Sequence, residues 1–189
     1  MNNNTKTREM ILIALFAALT SVGAYMTIVL PFTAVPFTMQ ILFVAFAGAL
    51  LGAKNGMISQ LIYMIIGLAG IPVFSGATGG IQSIIKPTFG YVIGFALFAF
   101  VTGYIINKMN KLTIPKVFFA IMVGLMLEYA VGVTYMYFIF NLYMGKEITY
   151  LTAIGWGFTP FILFDTIKCF IVAIVATYLI PVLKKQSLI

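Results

Sequence analysis

The chain has 189 residues, 62% of them hydrophobic and 8% charged, with a net charge of +7. Soluble domains carry about 25% charged residues, so this composition excludes a soluble globular protein and implies an all-α membrane protein. The basic excess does not indicate nucleic-acid binding, because the lysines and arginine stand in short tufts between apolar runs, where they orient spanning helices. One cysteine, Cys169, and no histidine leave no zinc site of the usual kind and no histidine acid–base chemistry. No metal, resident cofactor or enzymatic activity is therefore expected.

A helix needs about 20 apolar residues to cross the hydrocarbon core. On that basis the chain reads as a single transmembrane domain, 1–189, with six spans at roughly 10–30, 39–53, 56–72, 88–107, 117–143 and 157–183. Lys6 and Arg8 precede the first run as in a signal peptide, but Met10 to Leu30 is too long for a signal core and suits a retained helix. Pro31 and Pro36 break the chain after it. The second and third spans are short, and Lys54-Asn55-Gly56 between them reads as a tight hairpin. "GIPVFSGATGGIQSIIKP", Gly70 to Pro87, is too irregular for a helix yet apolar for an aqueous loop. Such backbone is tolerated near a membrane where it folds onto protein or lines a cavity.

Orientation follows from the basic residues. With the N-terminus inside, Lys6, Arg8, Lys54, Lys108, Lys111, Lys116, Lys184 and Lys185 lie inside, and only Lys86 and Lys146 lie outside. Both termini are thus expected in the cytoplasm, with Tyr143, Tyr150 and Trp156 at the outer interface and the Gly70–Pro87 segment on the outer face.

Three ionisable groups interrupt the later spans. Asp165 and Lys168 stand three apart in "FILFDTIKCFIVAIVA" and share a helix face. Each costs about 2.5–3.5 kcal/mol near the middle of a spanning helix. Either they form a self-neutralising ion pair that fixes packing, or they face a polar cavity and serve a ligand. Glu128, near the middle of the fifth span, is either protonated or bonded to a neighbouring helix, or else a ligand or supporting group. Lys86 holds a ligand anion at the cavity mouth or is a solvated loop lysine. Thr78, Gln82 and Gln40 are polar enough to contribute, or equally to make surface or helix–helix hydrogen bonds, and glycines such as Gly79 allow backbone to approach a small ligand closely. "GATGG" lacks the Lys-Ser/Thr of a phosphate loop. Ala14 with Ala18, and Gly48 with Gly52, are small-xxx-small pairs that let helices approach, either internally or against a membrane partner.

Four motifs in order, "VPFTMQ" (Val35–Gln40), "GLAGIPVFSGATGG" (Gly67–Gly80), "KPTFGYVIGF" (Lys86–Phe95) and "PFILFDTIK" (Pro160–Lys168), together resemble the BioY family. That family is the biotin-specific membrane subunit, or S component, of energy-coupling-factor vitamin importers. The resemblance implies a six-helix bundle whose outward-facing biotin site is roofed by the loops after the first and third spans. It implies that Asp165 and Lys168 serve the ligand and that Ala14 and Ala18 dock on a transmembrane coupling protein, the T component. Two cytoplasmic ABC ATPases would complete the complex and alone would use ATP. The family's Gly-Pro-Thr-Gly-Gly-Tyr is here Lys86-Pro87-Thr88-Phe89-Gly90-Tyr91, and Leu163-Phe164 stands where Pro-Gly usually precedes the acid. Lys86, the one cation of that loop, is the candidate for the biotin carboxylate, and Phe74 and Tyr91 are candidate walls for the sulfur ring.

The expected function is high-affinity biotin uptake across a prokaryotic plasma membrane by a lipid-embedded, non-enzymatic subunit with no Walker A motif of its own. A second reading is a stand-alone vitamin transporter or facilitator coupled to protons through Glu128 and Asp165. An intramembrane enzyme is disfavoured, since no Gly-x-Ser-x-Gly elbow or zinc motif is present.

Overall fold

The computed structural model describes residues 3–29, 31, 33 and 35–186, with side chains from Lys6 onward. Leu30, the expected end of the first span, lies outside the described residues, as do residues 187–189. Among the described residues, five helices are long and apolar enough to cross a membrane, and the molecule is a multi-pass, mostly helical bundle.

The first helix, α1, spans Asn3–Tyr25 and so stops short of the expected boundary. Its chain passes instead into a two-residue strand, β1 (Thr27–Ile28), paired antiparallel with β2 (Phe37–Thr38). Composition gives no hint of this ribbon, because two residues carry no readable alternation.

Helical hydrogen bonding then runs from Gln40 to Leu68 as α2, but the run is folded in half. Gly52 has φ 76°, a left-handed conformation that glycine adopts without side-chain penalty. Beyond it the chain doubles back. A Cβ on Gly56 would lie 2.9 Å from the Ala47 carbonyl oxygen, and Gln40 Nε2 donates to the Tyr63 hydroxyl at 2.7 Å. In a straight helix those two residues would be roughly 34 Å apart. The second and third expected spans are therefore the two arms of α2, roughly 18 and 24 Å long at the usual rise. The bend sits at Gly52 rather than at Lys54-Asn55-Gly56, since residues 53–56 are already helical.

Helix α3 (Phe89–Asn107) packs on both arms, and α4 (Ile114–Phe138) packs on α3. Close approach depends on absent side chains. A Cβ on Gly103 would stand 2.3 Å from the Ala53 nitrogen, and one on Gly48 2.6 Å from the Ala99 oxygen. The Gly48 half of the predicted small-residue pair thus works internally, as Gly-rich seams do in lipid. A buried polar seam links α1 to the second arm: Thr20 Oγ1 donates to Gln60 Oε1 at 3.2 Å, and Gln60 Nε2 to Ser59 Oγ at 3.0 Å.

After α4 a wide π turn, Ile139–Tyr143, ends the fifth expected span. The start of the sixth separates off as a short helix, α5 (Tyr150–Gly157), capped by the Thr149 hydroxyl, which accepts from the Thr152 N–H at 3.1 Å. The last helix, α6, covers Ile162–Lys185. Leu163, Phe164, Ile167, Phe170, Ile171, Val175, Tyr178 and Val182 stay exposed along α6, as do Met10, Ile11, Leu15 and Val22 on α1. These faces suit lipid.

Gly103→Ala is expected to destabilise the detergent-purified protein by about 1–3 kcal/mol, the usual cost of overpacking. A thermal melt unchanged from wild type would contradict the close α2–α3 contact.

Candidate functional site

One end of the bundle gathers the chain's irregular segments. Both ends of α2, the start of α3 and the start of α6 meet there, together with the β1–β2 ribbon and the segment after α2. That segment turns at Gly70 and Gly76, pairs Phe74 with Thr78 in an isolated bridge, and ends in a 3-10 turn, Ile81–Ile85. The Gly80 N–H donates to the Gly67 carbonyl at 2.7 Å, which draws the loop back over the bundle.

Beneath these loops lies a cavity of about 750 Å3, counting its open mouth. Small-molecule sites are mostly apolar with a few placed polar groups. Its walls follow that pattern. Phe37, Tyr63, Phe74, Phe89, Tyr91, Phe95, Tyr129 and Phe161 supply aromatic surface. Edge-to-face contacts hold them, Tyr63 to Phe74 at 5.5 Å and Tyr129 to Phe158 at 5.0 Å. Tyr91 is locked in place by its hydroxyl, which donates to the Gly157 carbonyl at 3.0 Å.

Asp165 lines this cavity and is 5% exposed. Its Oδ1 accepts from Lys168 Nζ at 2.7 Å and its Oδ2 from the Tyr129 hydroxyl at 2.5 Å. A carboxylate has about four acceptor positions, so two remain for a ligand. Because α6 begins at Ile162, Asp165 sits in the first turn of that helix, not the two to three turns in that a span starting at residue 157 implies. A carboxylate there gains from the helix dipole, which offsets part of its burial.

Lys168 is 6% exposed but is not among the cavity-lining residues. Its ammonium donates to Asp165 and, at 2.7 Å, to the Thr38 carbonyl of β2, and stands 3.9 Å from the Phe37 ring centroid. From Thr38 the bonding continues. Thr38 Oγ1 donates to Gln40 Oε1 at 3.2 Å, Gln40 to Tyr63, and the Tyr63 hydroxyl to the Val73 carbonyl at 3.1 Å. Both roofing loops are thereby bonded, through α2, to the acid of α6.

Comparison with known proteins decides the family. A family model described as "BioY family" matches residues 1–185. The chain is 42% identical over 189 residues to a probable biotin transporter BioY of Lysinibacillus sphaericus, covering 100% of this chain and 95% of that one. It is 38% identical over 169 residues to the biotin transporter BioY of Thermotoga maritima, covering 89% and 94%. A crystal structure of the S-component for biotin from an ECF-type ABC transporter superposes with a TM-score of 0.85 at 27% identity, covering 95% of this chain and 94% of that one. This chain belongs to the BioY family. BioY proteins are transporters, not enzymes.

Of the residues the sequence singled out, Asp165, Glu128, Lys86, Tyr91, Phe74, Thr78 and Gln40 line the BioY cavity. Gly79 and Gln82 do not. A Cβ on Gly79 would lie 2.3 Å from the Ile71 carbonyl oxygen, so glycine is needed for the loop's own packing. Gln82 is exposed and its amide donates to the Gly79 carbonyl at 2.7 Å. Ala14 and Ala18 are exposed on α1, away from the site. Sequence reasoning missed Tyr129, Tyr63, Ser83 and Phe161. Tyr129 carried a readable signal, a polar-tipped aromatic next to an intramembrane acid. Among the described residues, no cluster of His, Cys, Asp and Glu could hold a metal.

Removing the Lys168 ammonium should free the ribbon, since charge-assisted hydrogen bonds contribute about 1.5–3 kcal/mol each. Lys168→Met is expected to speed amide hydrogen exchange across residues 27–39 by tenfold or more. Unaltered protection there would show that the bond to Thr38 carries no weight.

Proposed function

We propose that this BioY-family chain is the biotin-binding subunit of an ECF-type importer, capturing biotin on the outer face of a prokaryotic plasma membrane. The observation that carries this reading is the half-satisfied Asp165 carboxylate lining a chiefly apolar cavity. Biotin has a ureido ring with two N–H donors, an apolar sulfur ring and a carboxylate tail. The ureido N–H groups suit Asp165, because a bond to an ionised acceptor is about twice as strong as a neutral one. Tyr129 and Lys168 hold that acceptor in place. The aromatic walls, Phe74 and Tyr91 among them, bury the sulfur ring, and Thr78 adds a hydroxyl at the lining.

The carboxylate tail suits Lys86. Its ammonium has no carboxylate partner among the described residues, and the nearby Ser83 hydroxyl is buried, lines the cavity and makes no hydrogen bond. Lys86 N–H donates to the Ser83 carbonyl at 3.1 Å, so the two belong to one turn.

Transport energy comes from partners in this reading: a T component and two cytoplasmic ABC ATPases, with no cofactor in the chain itself. The exposed small residues Ala14 and Ala18 offer α1 as the docking helix. The basic bias supports an orientation with both termini in the cytoplasm and the cavity outside.

Calorimetric titration of the detergent-purified chain with biotin, against riboflavin and thiamine, tests the assignment. Biotin alone should bind tightly, and a control binding in its place would overturn the reading. Asp165→Asn should weaken biotin by tenfold or more, about 1.4 kcal/mol. Lys86→Ala should weaken biotin to a similar degree while leaving its uncharged amide unaffected. Equal losses for acid and amide would remove Lys86 from the carboxylate's neighbourhood.

A further inference from the structure

Four buried side-chain polar atoms among the described residues have no hydrogen-bond partner: Arg8 Nε, Ser83 Oγ, Thr102 Oγ1 and Glu128 Oε2. Such orphans are few in folded proteins, and each calls for a reason. Only Ser83 and Glu128 line the cavity. Glu128 is 1% exposed, on α4, one residue before the tyrosine that braces Asp165. Space has been cleared for it: a Cβ on Gly94 would come 2.9 Å from Glu128 Cγ. An acid this deep with an unanswered oxygen points to a partner that the chain itself does not supply.

Resting on the biotin reading, we propose that Glu128 is a specificity-determining residue, a second acceptor that brackets the ureido ring together with Asp165. A cyclic urea carries one N–H on each flank of its carbonyl and so needs an acceptor on each side. Asp165 on α6 and Glu128 on the neighbouring α4 provide two carboxyl groups in one cavity. A carboxyl keeps an acceptor oxygen whether or not it bears a proton, so the bracket works in either state. The ligand class this selects is a five-membered ring with two N–H donors, one on either side of a carbonyl. A ring with only one such donor leaves one acid unanswered, and sites built for a hydrogen bond discriminate strongly against ligands that lack it.

The test uses calorimetry with biotin and two analogues, each methylated on one ureido nitrogen. Wild-type protein should bind both analogues at least tenfold more weakly than biotin, since each N–H has its own acceptor. An analogue that binds as well as biotin would overturn the bracket, and this arm needs no variant to fold. Glu128→Met keeps the bulk and removes the oxygens. It should lose tenfold or more for biotin and less than about twofold for the analogue methylated on the nitrogen facing Glu128. Glu128→Gln, which retains one acceptor oxygen, should recover most of the biotin affinity. Loss of the same factor for biotin and both analogues in Glu128→Met, or no loss for biotin, would reduce Glu128 to a packing role. Failure of wild-type protein to bind biotin at all would instead sink the reading beneath the proposal.

Discussion

The ion pair between Asp165 and Lys168 organises this molecule, because two charges buried in an apolar bundle need hydrogen-bond partners beyond each other. Its own 2.7 Å contact is not enough. Tyr129 takes the second oxygen of the acid, and the Thr38 carbonyl and Phe37 ring take the remaining faces of the ammonium. Removing one partner from such a buried pair generally costs about 3–5 kcal/mol. The arrangement therefore binds α4, α6 and the β1–β2 ribbon to one point. It also leaves the acid with acceptor capacity beside an empty space. The same carboxylate thus stands in both settings: Lys168 ties it to the packing, and Asp165 itself faces the cavity.

The cavity itself is a consequence of how aromatic rings pack against glycines. Phe74 lies over Gly67, where a Cβ would stand 2.1 Å from its ring, and Tyr91 occupies the space beside Gly132 and Gly157. Rings anchored in this way cannot collapse inward, since their edges are held by neighbouring rings and, for Tyr63 and Tyr91, by hydroxyl hydrogen bonds. Interiors normally close to crystal-like density. Here the propped rings, the loops drawn over by Gly80 and Met39, and the roof ties keep a hollow open beneath the loops. The opposite end closes without such devices: a Cβ on Gly52 would stand 2.9 Å from Asn107 Nδ2, and the α2 bend seals against α3.

Much of this was legible from composition and residue order. Hydropathy announced a membrane bundle, the glycine-rich stretch between residues 70 and 87 announced irregular backbone at a site, and the two acids and Lys168 stood out because intramembrane charge is rare. These features are local or compositional, and a one-dimensional reading captures them. Glycine and glutamine in a loop look alike in sequence whether they face a ligand or their own loop. The structure sets Gly79 against the Ile71 carbonyl and bonds Gln82 to the Gly79 carbonyl.

By itself the sequence determined the class, the apolar segments and the few residues whose charge demands an explanation, because each of those depends on neighbours within a few positions. Tertiary structure alone decided that α2 folds at Gly52, that Asp165 opens its helix, and that Lys168 turns to the ribbon while Glu128 turns to the cavity. Those outcomes depend on contacts between residues such as Thr38 and Lys168, 130 positions apart. No periodicity along the chain encodes a contact of that range; it exists only once the helices have packed.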